Sequence, residues 1–411
     1  MGFRMRCLSK YPALTTALSF LMVAALPNAE AQPSASSPWT TEVINSHALG
    51  KRTIYIATPT DYEHTSARYP VIILLDGNDI PMFRLVIAQA AYLADNSNGF
   101  PQLIVVGIVN GADRIYDMTP PATGTSVGMF PATGGAPAFA SFILDEVLPL
   151  IRSKYRTHPT TLLAGHSAGG LFALDIAATK PGAFQGIIAT SPSLWYNDSS
   201  LVVTYSDKIA KSPIGQRVFA SSGGLERDID ATTRRFAARL DSLTPGGGFF
   251  RYRRYPDDIH SLTPMEGFAD GLRFVFDPIS FSHLAIAYLD YANADSMSLD
   301  AALRSSEKTY DSAAALLGLP GMLPEDVVNT LGYRLVTKKK PGLAISVFER
   351  NVRSYPLSVN VYDSLGDGFL AAGDTASAIA KFKLSVAMAR KTGVPIPEET
   401  QSKLNALTHR K

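Results

Sequence analysis

Short apolar runs alternate with amphipathic segments in the first two thirds of this chain. Val71 to Leu75 and Leu103 to Ile108 are continuous apolar runs, which are typical of strands buried on both faces of a parallel sheet. Met82 to Leu93, between them, is predicted as a helix. Thr41 to Ile56 contains two strand-like stretches around Leu49-Gly50-Lys51, which predicts a hairpin ahead of the first buried strand.

The same alternation continues toward the middle of the chain. Residues 137–155 have apolar side chains on one helical face. The further elements predicted are a strand at 161–164, a helix at 168–178, strands at 187–190 and 218–221, a helix at 230–243 and a last strand near 249–255. Strands that alternate with helices predict an α/β fold with a mostly parallel, doubly wound sheet.

From residue 283 the composition shifts to helix-forming residues and a repeat emerges. Leu331-Gly332 recurs as Leu365-Gly366, and Phe348 recurs as Phe382, each 34 positions later. This is the period of tetratricopeptide repeats, so we predict a small all-α helical-repeat domain over residues 283–411. The alternative is a helical bundle with coincidental spacing. Because about three repeats are usually needed for stability, two units should pack on residues 283–320 or on the preceding domain.

The N-terminal residues have the pattern of a secretory signal peptide. Three basic residues within the first ten positions precede an apolar stretch, Ala13 to Leu26, and Ala29-Glu30-Ala31 is a small-x-small cleavage site. We therefore expect residues 1–31 to be removed, a mature chain that begins at Gln32, and a periplasmic or secreted protein. The apolar stretch is too short for a typical membrane span, and we expect no integral membrane segment in the mature chain.

Composition narrows the chemistry. The one cysteine is Cys7, inside the predicted signal peptide, so the mature chain is expected to have no disulfide, no thiolate catalysis and no cysteine-based metal site. Of the 411 residues 46% are hydrophobic and 18% charged, which suits a globular protein with a sizeable core. The net charge of +2 gives no electrostatic case for a nucleic-acid partner or an anionic membrane surface.

Gly165-His166-Ser167-Ala168-Gly169 has the Gly-x-Ser-x-Gly pattern of a nucleophile elbow, and it lies between a predicted strand and a predicted helix. A sharp turn from strand to helix places the serine at strained backbone angles and leaves no room for side chains at the flanking positions. The alternative is a Gly-rich turn with an incidental serine. We predict Ser167 as a nucleophile at a helix N-terminus, where backbone N–H groups favour an oxyanion.

A serine nucleophile needs a base and an acidic residue that orients the base. In folds with a nucleophile elbow the serine comes first along the chain, the acid second and the histidine third. His260, His283 and His409 are the histidines after Ser167. His260 directly follows the last predicted strand and is the predicted base, whereas His283 lies near the domain junction and His409 in the repeat region.

The acid is expected on a loop after a strand in the second half of the sheet. Glu226 follows the strand at 218–221 and is the first choice, with Asp228 second. The alternative is a Ser–His dyad, in which the loop that carries Glu226 and Asp228 is a solvated charged loop and supplies no acid. Asp257 and Asp258 are not chosen, because acidic residues so close in sequence to a histidine rarely face back onto its ring.

The oxyanion hole should combine the N–H of Ala168 with an N–H of Gly77 or Asn78, after the strand at 71–75. His166 is a single histidine without a partner at ligand spacing, so we interpret it as a packing residue. No metal and no cofactor is predicted.

Arg114 and Trp195 lie on loops at the carboxyl ends of predicted strands, where ligands of such sheets bind. Arg114 is a candidate for contact with an anionic or oxygen-rich substrate, and a structural ion pair is the equal alternative. Trp195 is a candidate pocket wall, and ordinary core packing is its alternative.

Several segments together resemble the putative-esterase family of α/β-hydrolases, over roughly residues 40–280. They are Tyr69 to Gly77, Arg114 to Pro120, Gly165 to Gly170, Ser191 to Trp195 and Gly224 to Glu226. The family includes enterobactin- and salmochelin-type siderophore esterases, S-formylglutathione hydrolases and feruloyl esterases. The resemblance implies an α/β-hydrolase fold and ester hydrolysis.

The segments around Arg114 and Trp195 are most similar to the siderophore-esterase branch, in which the arginine helps to hold an acidic catecholate. The loop at 119–136 departs from it, because it is rich in Thr, Gly and Pro and has no basic cluster. This departure weakens the case for a triply catecholate substrate.

These observations predict an exported serine esterase that acts on a small-molecule ester through an acyl-enzyme on Ser167. Acyl transfer to an alcohol by the same triad is one alternative. Another is a protein that binds a partner, or self-associates, through the helical residues 283–411, with residues 32–282 as a platform.

Overall fold

A computed structural model describes residues 38–96, 99–212 and 215–408. The predicted signal peptide and His409 lie outside the described residues. Eight strands form one sheet. Their bounds are Thr40–Ser46 (β1), Gly50–Ala57 (β2), Tyr69–Leu74 (β3), Ile104–Ile108 (β4), Thr157–His166 (β5), Gly186–Thr190 (β6), Arg217–Gly223 (β7) and Phe250–Tyr255 (β8).

The sheet has the strand order β1-β2-β4-β3-β5-β6-β7-β8. β1 pairs antiparallel with β2 as the predicted hairpin, and β2 pairs antiparallel with β4. Every other neighbouring pair is parallel. The prediction of a mostly parallel sheet is therefore confirmed, and the carboxyl ends of β3 to β8 share one edge, where the candidate site lies.

Within the described residues, eight α-helices accompany the sheet. They are Ile80–Asn96 (α1), Arg114–Met118 (α2), Ala136–Ser141 (α3), Leu148–Lys154 (α4), Ala168–Thr179 (α5), Ser200–Ala210 (α6), Arg227–Leu243 (α7) and Thr263–Phe276 (α8). A π-helical segment, Phe142–Val147, joins α3 to α4. The single helix predicted at 137–155 is therefore one continuous helical stretch whose middle is π-helical. The predictions did not include α6 or α8, and they placed Arg114 on a loop where the structure has the short helix α2, whose start is capped by the Asp113 side chain.

The sheet is buried on both faces, as its continuous apolar strands predict. Along β3, Val71 and Ile73 pack into one hydrophobic cluster, whereas Ile72 and Leu74 pack into a second. The first cluster includes Phe139 from α3, Phe142 from the π-helical segment and Phe172 from α5. The second is covered by α1, α8 and the helices that follow.

Six more helices complete the described chain. They are Ser296–Leu317 (α9), Glu325–Thr337 (α10), Pro341–Ser354 (α11), Val359–Ala371 (α12), Thr375–Thr392 (α13) and Glu398–Thr408 (α14). Leu299 and Leu303 of α9 belong to the second cluster of the sheet. At the end of α9 the carbonyl of Leu317 accepts a hydrogen bond of 2.7 Å from Thr160 Oγ1 on β5. The all-helical character of this part is confirmed.

The 34-residue repeat has a counterpart in packing. A Cβ added to Gly332 on α10 would lie 2.3 Å from the Phe348 ring on α11, and one added to Gly366 on α12 would lie 2.5 Å from the Phe382 ring on α13. Each glycine thus lets an aromatic ring approach its helix. The assignment as a tetratricopeptide-like unit and the domain boundary at residue 283 stay predictions. In the described part of the chain, no helix combines the length and hydropathy that a bilayer crossing requires.

Candidate active site

Ser167 occupies the single residue between β5 and α5, with φ 61° and ψ −118°. Non-glycine residues reach this region only under strain, which structures retain at functional turns. A Cβ at Gly165 would lie 2.4 Å from the backbone of Gly169, so the elbow closes only with glycine there. The local geometry is that of the predicted nucleophile elbow, at the carboxyl edge of the sheet.

Glu226 and His260 meet at the same edge. His260 Nδ1 lies 3.2 Å from Glu226 Oε2, and the Glu226 side chain is 2% exposed whereas that of His260 is 40% exposed. An Nδ1–H that donates to the carboxylate leaves Nε2 free to accept a proton. Asp228, the second candidate, is exposed in the first turn of α7.

Two further hydrogen bonds fix the Glu226 carboxylate. Its Oε1 accepts from Ser191 Oγ at 2.7 Å and from the backbone N–H of Gly223 at 3.2 Å. Thr263 Oγ1 lies 2.7 Å from Ser191 Oγ and donates to the carbonyl of His260. The acid is thereby held at one oxygen by hydroxyl and amide donors, while its other oxygen faces the imidazole.

His166 is the packing residue expected from the sequence, and what it packs against is His260. The two ring centroids are 4.3 Å apart, and His166 Nε2 lies 2.9 Å from the His260 carbonyl oxygen. Burial, followed by the electrostatic influence of neighbouring His260, lowers the pKa of His166 to about 4. A neutral His166 therefore donates its Nε2–H to that carbonyl at neutral pH.

The Ser167 hydroxyl lies 3.4 Å from Ser193 Oγ, and within the described residues it makes no hydrogen bond to His260. Catalytic hydrogen bonds are often long before substrate binds and tighten only in the complex. The structure therefore brings Glu226 and His260 into contact. Ser167 is linked to this pair through His166, which precedes it in the chain and packs against His260.

The predicted oxyanion donors have different surroundings. Ala168 is the first residue of α5, where a backbone N–H has no partner within the helix. Gly77 N–H donates to the Ile108 carbonyl at 2.7 Å, so it is engaged elsewhere. A Cβ at Gly77 would lie 2.6 Å from Gly107, which explains the glycine by close packing. Asn78, exposed beside it, is the donor candidate that remains.

Arg114, at the start of α2, forms an ion pair with Asp76 through Nε and Nη2. Its Nη2 also lies 3.2 Å from the carbonyl of His166. Trp195 is partly buried against the first hydrophobic cluster, with its ring centroid 6.5 Å from that of Phe130. Both alternatives left open by the sequence, a structural ion pair for Arg114 and packing for Trp195, are thus present in the structure.

A cleft of about 280 Å³ opens beside the elbow. It is lined by Asp76, Asn78, Asp79, Met82, Asn110, Arg114 and His166. Within the described residues, no group of three or more His, Cys, Asp or Glu side chains is placed to hold a metal ion.

The fold and the elbow define an α/β-hydrolase. Residues 46–244, just under half of the chain, match the family model described as Putative esterase. The siderophore triacetylfusarinine C esterase of Aspergillus fumigatus is 32% identical over 150 residues, which cover 34% of this chain and 48% of that protein. The ferri-bacillibactin esterase BesA of Bacillus subtilis is 32% identical over 157 residues, which cover 35% of this chain and 54% of that protein.

The chain thus spans about half the length of these curated relatives. Among solved structures, an IroE-like serine hydrolase from Shewanella oneidensis superposes with a TM-score of 0.60 at 24% identity, covering 74% of this chain and 95% of that one. At this identity the likeness shows the fold.

Sequence reasoning did not identify the residues that support the site. Ser191 and Thr263 hold Glu226 and the backbone of His260, and Asp76 receives Arg114. Ser191 and Asp76 both have a positive φ, 44° and 58°. Ser191 directly follows β6, and Asp76 directly follows the apolar run that ends at Leu75. A polar residue that immediately follows an apolar strand is the signal that would have pointed to them.

Proposed function

We propose that this protein is a serine esterase, with Ser167 as nucleophile, His260 as base and Glu226 as the acid that orients the base. The observation that carries the proposal is the hydrogen bond between buried Glu226 and His260 Nδ1 at the edge where the strained Ser167 elbow lies. A buried carboxylate on Nδ1–H selects the tautomer whose Nε2 can take the serine proton.

In the proposed reaction Ser167 Oγ attacks the ester carbonyl carbon while its proton moves to His260 Nε2. The carbonyl oxygen becomes an oxyanion, which the N–H groups of Ala168 and Asn78 stabilise. Collapse breaks the bond to the alcohol oxygen, which leaves with the proton from His260. Water then attacks the acyl-Ser167, gives its proton to His260, and the carboxylic acid departs as the serine recovers its proton.

For the substrate we propose an ester bond of a siderophore or of a siderophore fragment. Two relatives of more than 30% identity are named for such activities. The shared segment, about a third of this chain in each case, supports a common reaction type.

Export belongs to the proposal as well. The basic start, apolar stretch and Ala29-Glu30-Ala31 site support removal of residues 1–31 and a periplasmic or secreted enzyme. Mass determination of the protein recovered after expression in a bacterial host tests this, because a chain that still begins at Met1 would contradict it.

Hydrolysis of p-nitrophenyl esters by wild type and Ser167→Ala tests the reaction. We expect wild type to hydrolyse the ester and the variant to lose at least about 10³-fold in kcat. A fluorophosphonate should label wild type at Ser167. Equal rates for the two proteins, or labelling that persists in the variant, would refute the assignment. Product analysis with an added alcohol separates hydrolysis from acyl transfer.

A further inference from the structure

Four exposed apolar side chains flank the proposed acid and base. They belong to Leu225, Ile259, Leu262 and Met265, which are 61%, 49%, 48% and 62% exposed. A single exposed leucine needs no explanation, whereas a group of large apolar side chains left in water indicates a binding surface. We propose that these four residues, called the apolar rim below, bind the alcohol part of the ester and select neutral, apolar alcohols. This inference rests on the proposed esterase function.

Three residues of the apolar rim share one face of the backbone. The N–H of Leu262 donates to the carbonyl of Ile259 at 3.0 Å, and the N–H of Met265 donates to that of Leu262 at 2.9 Å. Hydrogen bonds between residues three apart form 3₁₀ turns, in which the side chains of residues i and i+3 eclipse each other. Ile259, Leu262 and Met265 therefore form a row, and His260 lies in its first turn.

Leu225 joins this row from the neighbouring loop. Its N–H donates to the Asp258 carbonyl at 3.1 Å, directly before the row begins. A Cβ at Gly223 would lie 2.4 Å from the same carbonyl oxygen, so the two loops contact each other through their backbones. The apolar rim is therefore a fixed surface, and the loops that form it also carry the proposed acid and base.

The far end of the apolar rim is also held in place. Gln89 Nε2 of α1 donates to the carbonyl of Met265 at 2.6 Å. Thr263 Oγ1 donates to the carbonyl of His260 at 3.1 Å, between the two ends. Because the backbone is fixed along its length, a ligand that covers the apolar rim orders little of the protein when it binds.

Proton transfer identifies the part of the substrate that meets the apolar rim. His260 Nδ1 lies 3.2 Å from Glu226 Oε2, so Nε2 is the atom that gives its proton to the alcohol oxygen as the bond from that oxygen to the acyl carbon breaks. A general acid must come within about 3.2 Å of the oxygen that it protonates. The proposed oxyanion donors, Ala168 and Asn78, instead hold the carbonyl oxygen of the acyl part. The residues beside His260 are therefore the ones nearest to the alcohol part.

Charge narrows the kind of alcohol that fits. Residues 256–266 contain no lysine or arginine and three acidic residues, Asp257, Asp258 and Glu266. Arg253 and Arg254, just before this segment, form ion pairs with carboxylates of α8 and α7. An anionic group on the alcohol is therefore repelled, and so is an anionic bilayer surface. A neutral alkyl or aryl alcohol suits both the charge and the apolar side chains.

Butyrate esters of alcohols of increasing length test the proposal. Methyl, propyl, butyl and hexyl butyrate are each supplied below their solubility limit, and pH-stat titration measures the butyric acid released. p-Nitrophenyl acetate, butyrate and hexanoate form a companion series in which only the acyl part grows. Leu262→Ala and Met265→Ala are the variants of the apolar rim. Leu384→Ala is the matched control, because Leu384 on α13 is 43% exposed and lies in the helical part.

We expect kcat/KM of wild type to rise about twofold for each methylene added to the alcohol, and so about 30-fold from methyl to hexyl, because a methylene half removed from water contributes about half of its transfer free energy. Leu262→Ala should lower the hexyl-to-methyl ratio about threefold, and the double variant Leu262→Ala/Met265→Ala about tenfold. In both, the ratio of p-nitrophenyl hexanoate to acetate should stay within about twofold of wild type, and Leu384→Ala should match wild type in both series. 6-Butyryloxyhexanoic acid, whose alcohol part ends in a carboxylate, should react about tenfold more slowly than hexyl butyrate.

The proposal is overturned if the length of the alcohol leaves kcat/KM unchanged, or if Leu384→Ala lowers the hexyl-to-methyl ratio as far as Leu262→Ala does. It is also overturned if the variants of the apolar rim alter the acyl series instead. A rate that rises only above the solubility limit of the ester would assign the apolar rim to a lipid–water interface and would equally overturn it. Should Leu262→Ala fail to fold, Ile259→Ala and Leu225→Ala give the same readout. Failure of the esterase proposal is distinct, because then wild type itself hydrolyses neither series and does not react with fluorophosphonate.

Discussion

His166 lies against His260 with ring centroids 4.3 Å apart, and its Nε2 is 2.9 Å from the carbonyl oxygen of His260. The residue that precedes Ser167 thus supports the backbone of His260, the proposed base. Because burial lowers the pKa of His166 to about 4, the ring stays neutral and keeps its donor through neutral pH. Ser167 and His260, which lie far apart in sequence, are connected through this one side chain.

This contact predicts a loss of stability in mild acid. In the unfolded chain His166 regains a pKa near 6.5, so between pH 6.5 and 4 the unfolded state binds more protons and the folded state is disfavoured as pH falls. His166→Gln keeps an amide donor and does not titrate. We expect wild type to lose about 2 kcal/mol more than the variant between pH 7 and 4.5, measured by urea unfolding. Parallel losses in the two proteins would contradict the assignment.

Glu226 and Asp228 allow a direct test of the acid. Glu226→Gln keeps the shape of the side chain but removes the negative charge on His260 Nδ1, so we expect kcat to fall by about 10³-fold. Asp228→Asn, two residues away and exposed, is the control and should stay within about twofold. Esterase kinetics at pH 7.5 provide the measurement, and a Glu226→Gln variant that is as active as Asp228→Asn would argue for a dyad.

We expect the turn at residues 197–199, after β6, to affect substrate affinity through the loop that it holds in place. Asn197, Asp198 and Ser199 have φ of 55°, 54° and 61°, three successive left-handed residues. Asn197 Oδ1 accepts from Thr123 N at 2.8 Å and its Nδ2 donates to the Pro121 carbonyl at 3.1 Å. The strained turn therefore fastens the loop at 119–136.

Asn197→Ala removes both of these hydrogen bonds and keeps the unfavourable φ. We expect a loss of about 2 kcal/mol in the free energy of unfolding, and a KM that rises more than kcat falls as the loop loosens. Asn197→Gly removes the same bonds but relieves the strain, so it should be more stable than Asn197→Ala. Calorimetry and steady-state kinetics on both variants decide, and an unchanged KM would exclude a role for the loop in binding.

The paired Gly–Phe contacts of the helical part predict a stability difference. Gly332→Ala would place a Cβ 2.3 Å from the Phe348 ring, and we expect a loss of about 1–3 kcal/mol. Gly342→Ala is the matched control, since nothing lies within 4 Å of its Cβ and it sits within α11. It should be neutral or slightly stabilising. Chemical unfolding of the two variants measures the difference, and equal stabilities would refute the packing argument.

The alternation of apolar strands with helices was sufficient to predict the parallel sheet. A strand that is buried on both faces needs a continuous apolar run, such as Val71 to Leu75. Chain order and position after a strand led to the choice of Glu226 and His260, which the structure places in contact, and their catalytic roles stay predictions. The stack of His166 on His260, and the use of Gly77 N–H by Ile108, depend on which groups meet across the sheet edge. Neither hydrophobic period nor spacing carries that information.

The helical part shows the same limit. The sequence predicted its 34-residue period and its packing on residues 283–320 or on the preceding domain, but not which residues would contact the sheet. Leu299 and Leu303 of α9 enter the cluster that holds Ile72 and Leu74 of β3, and a repeat pattern specifies only the neighbours within the repeat.

The hydrogen bond from Thr160 to Leu317 has a thermodynamic consequence. Thr160 lies on β5, the strand whose far end leads into Ser167, and Leu317 is the last residue of α9. The strand β5 thus contacts α9 near its beginning and leads into Ser167, the proposed nucleophile, at its end. Melting of α9 would expose the apolar face of that sheet, so the two regions should denature in a single cooperative transition. On heating, loss of the proposed esterase activity should then coincide with the loss of helix.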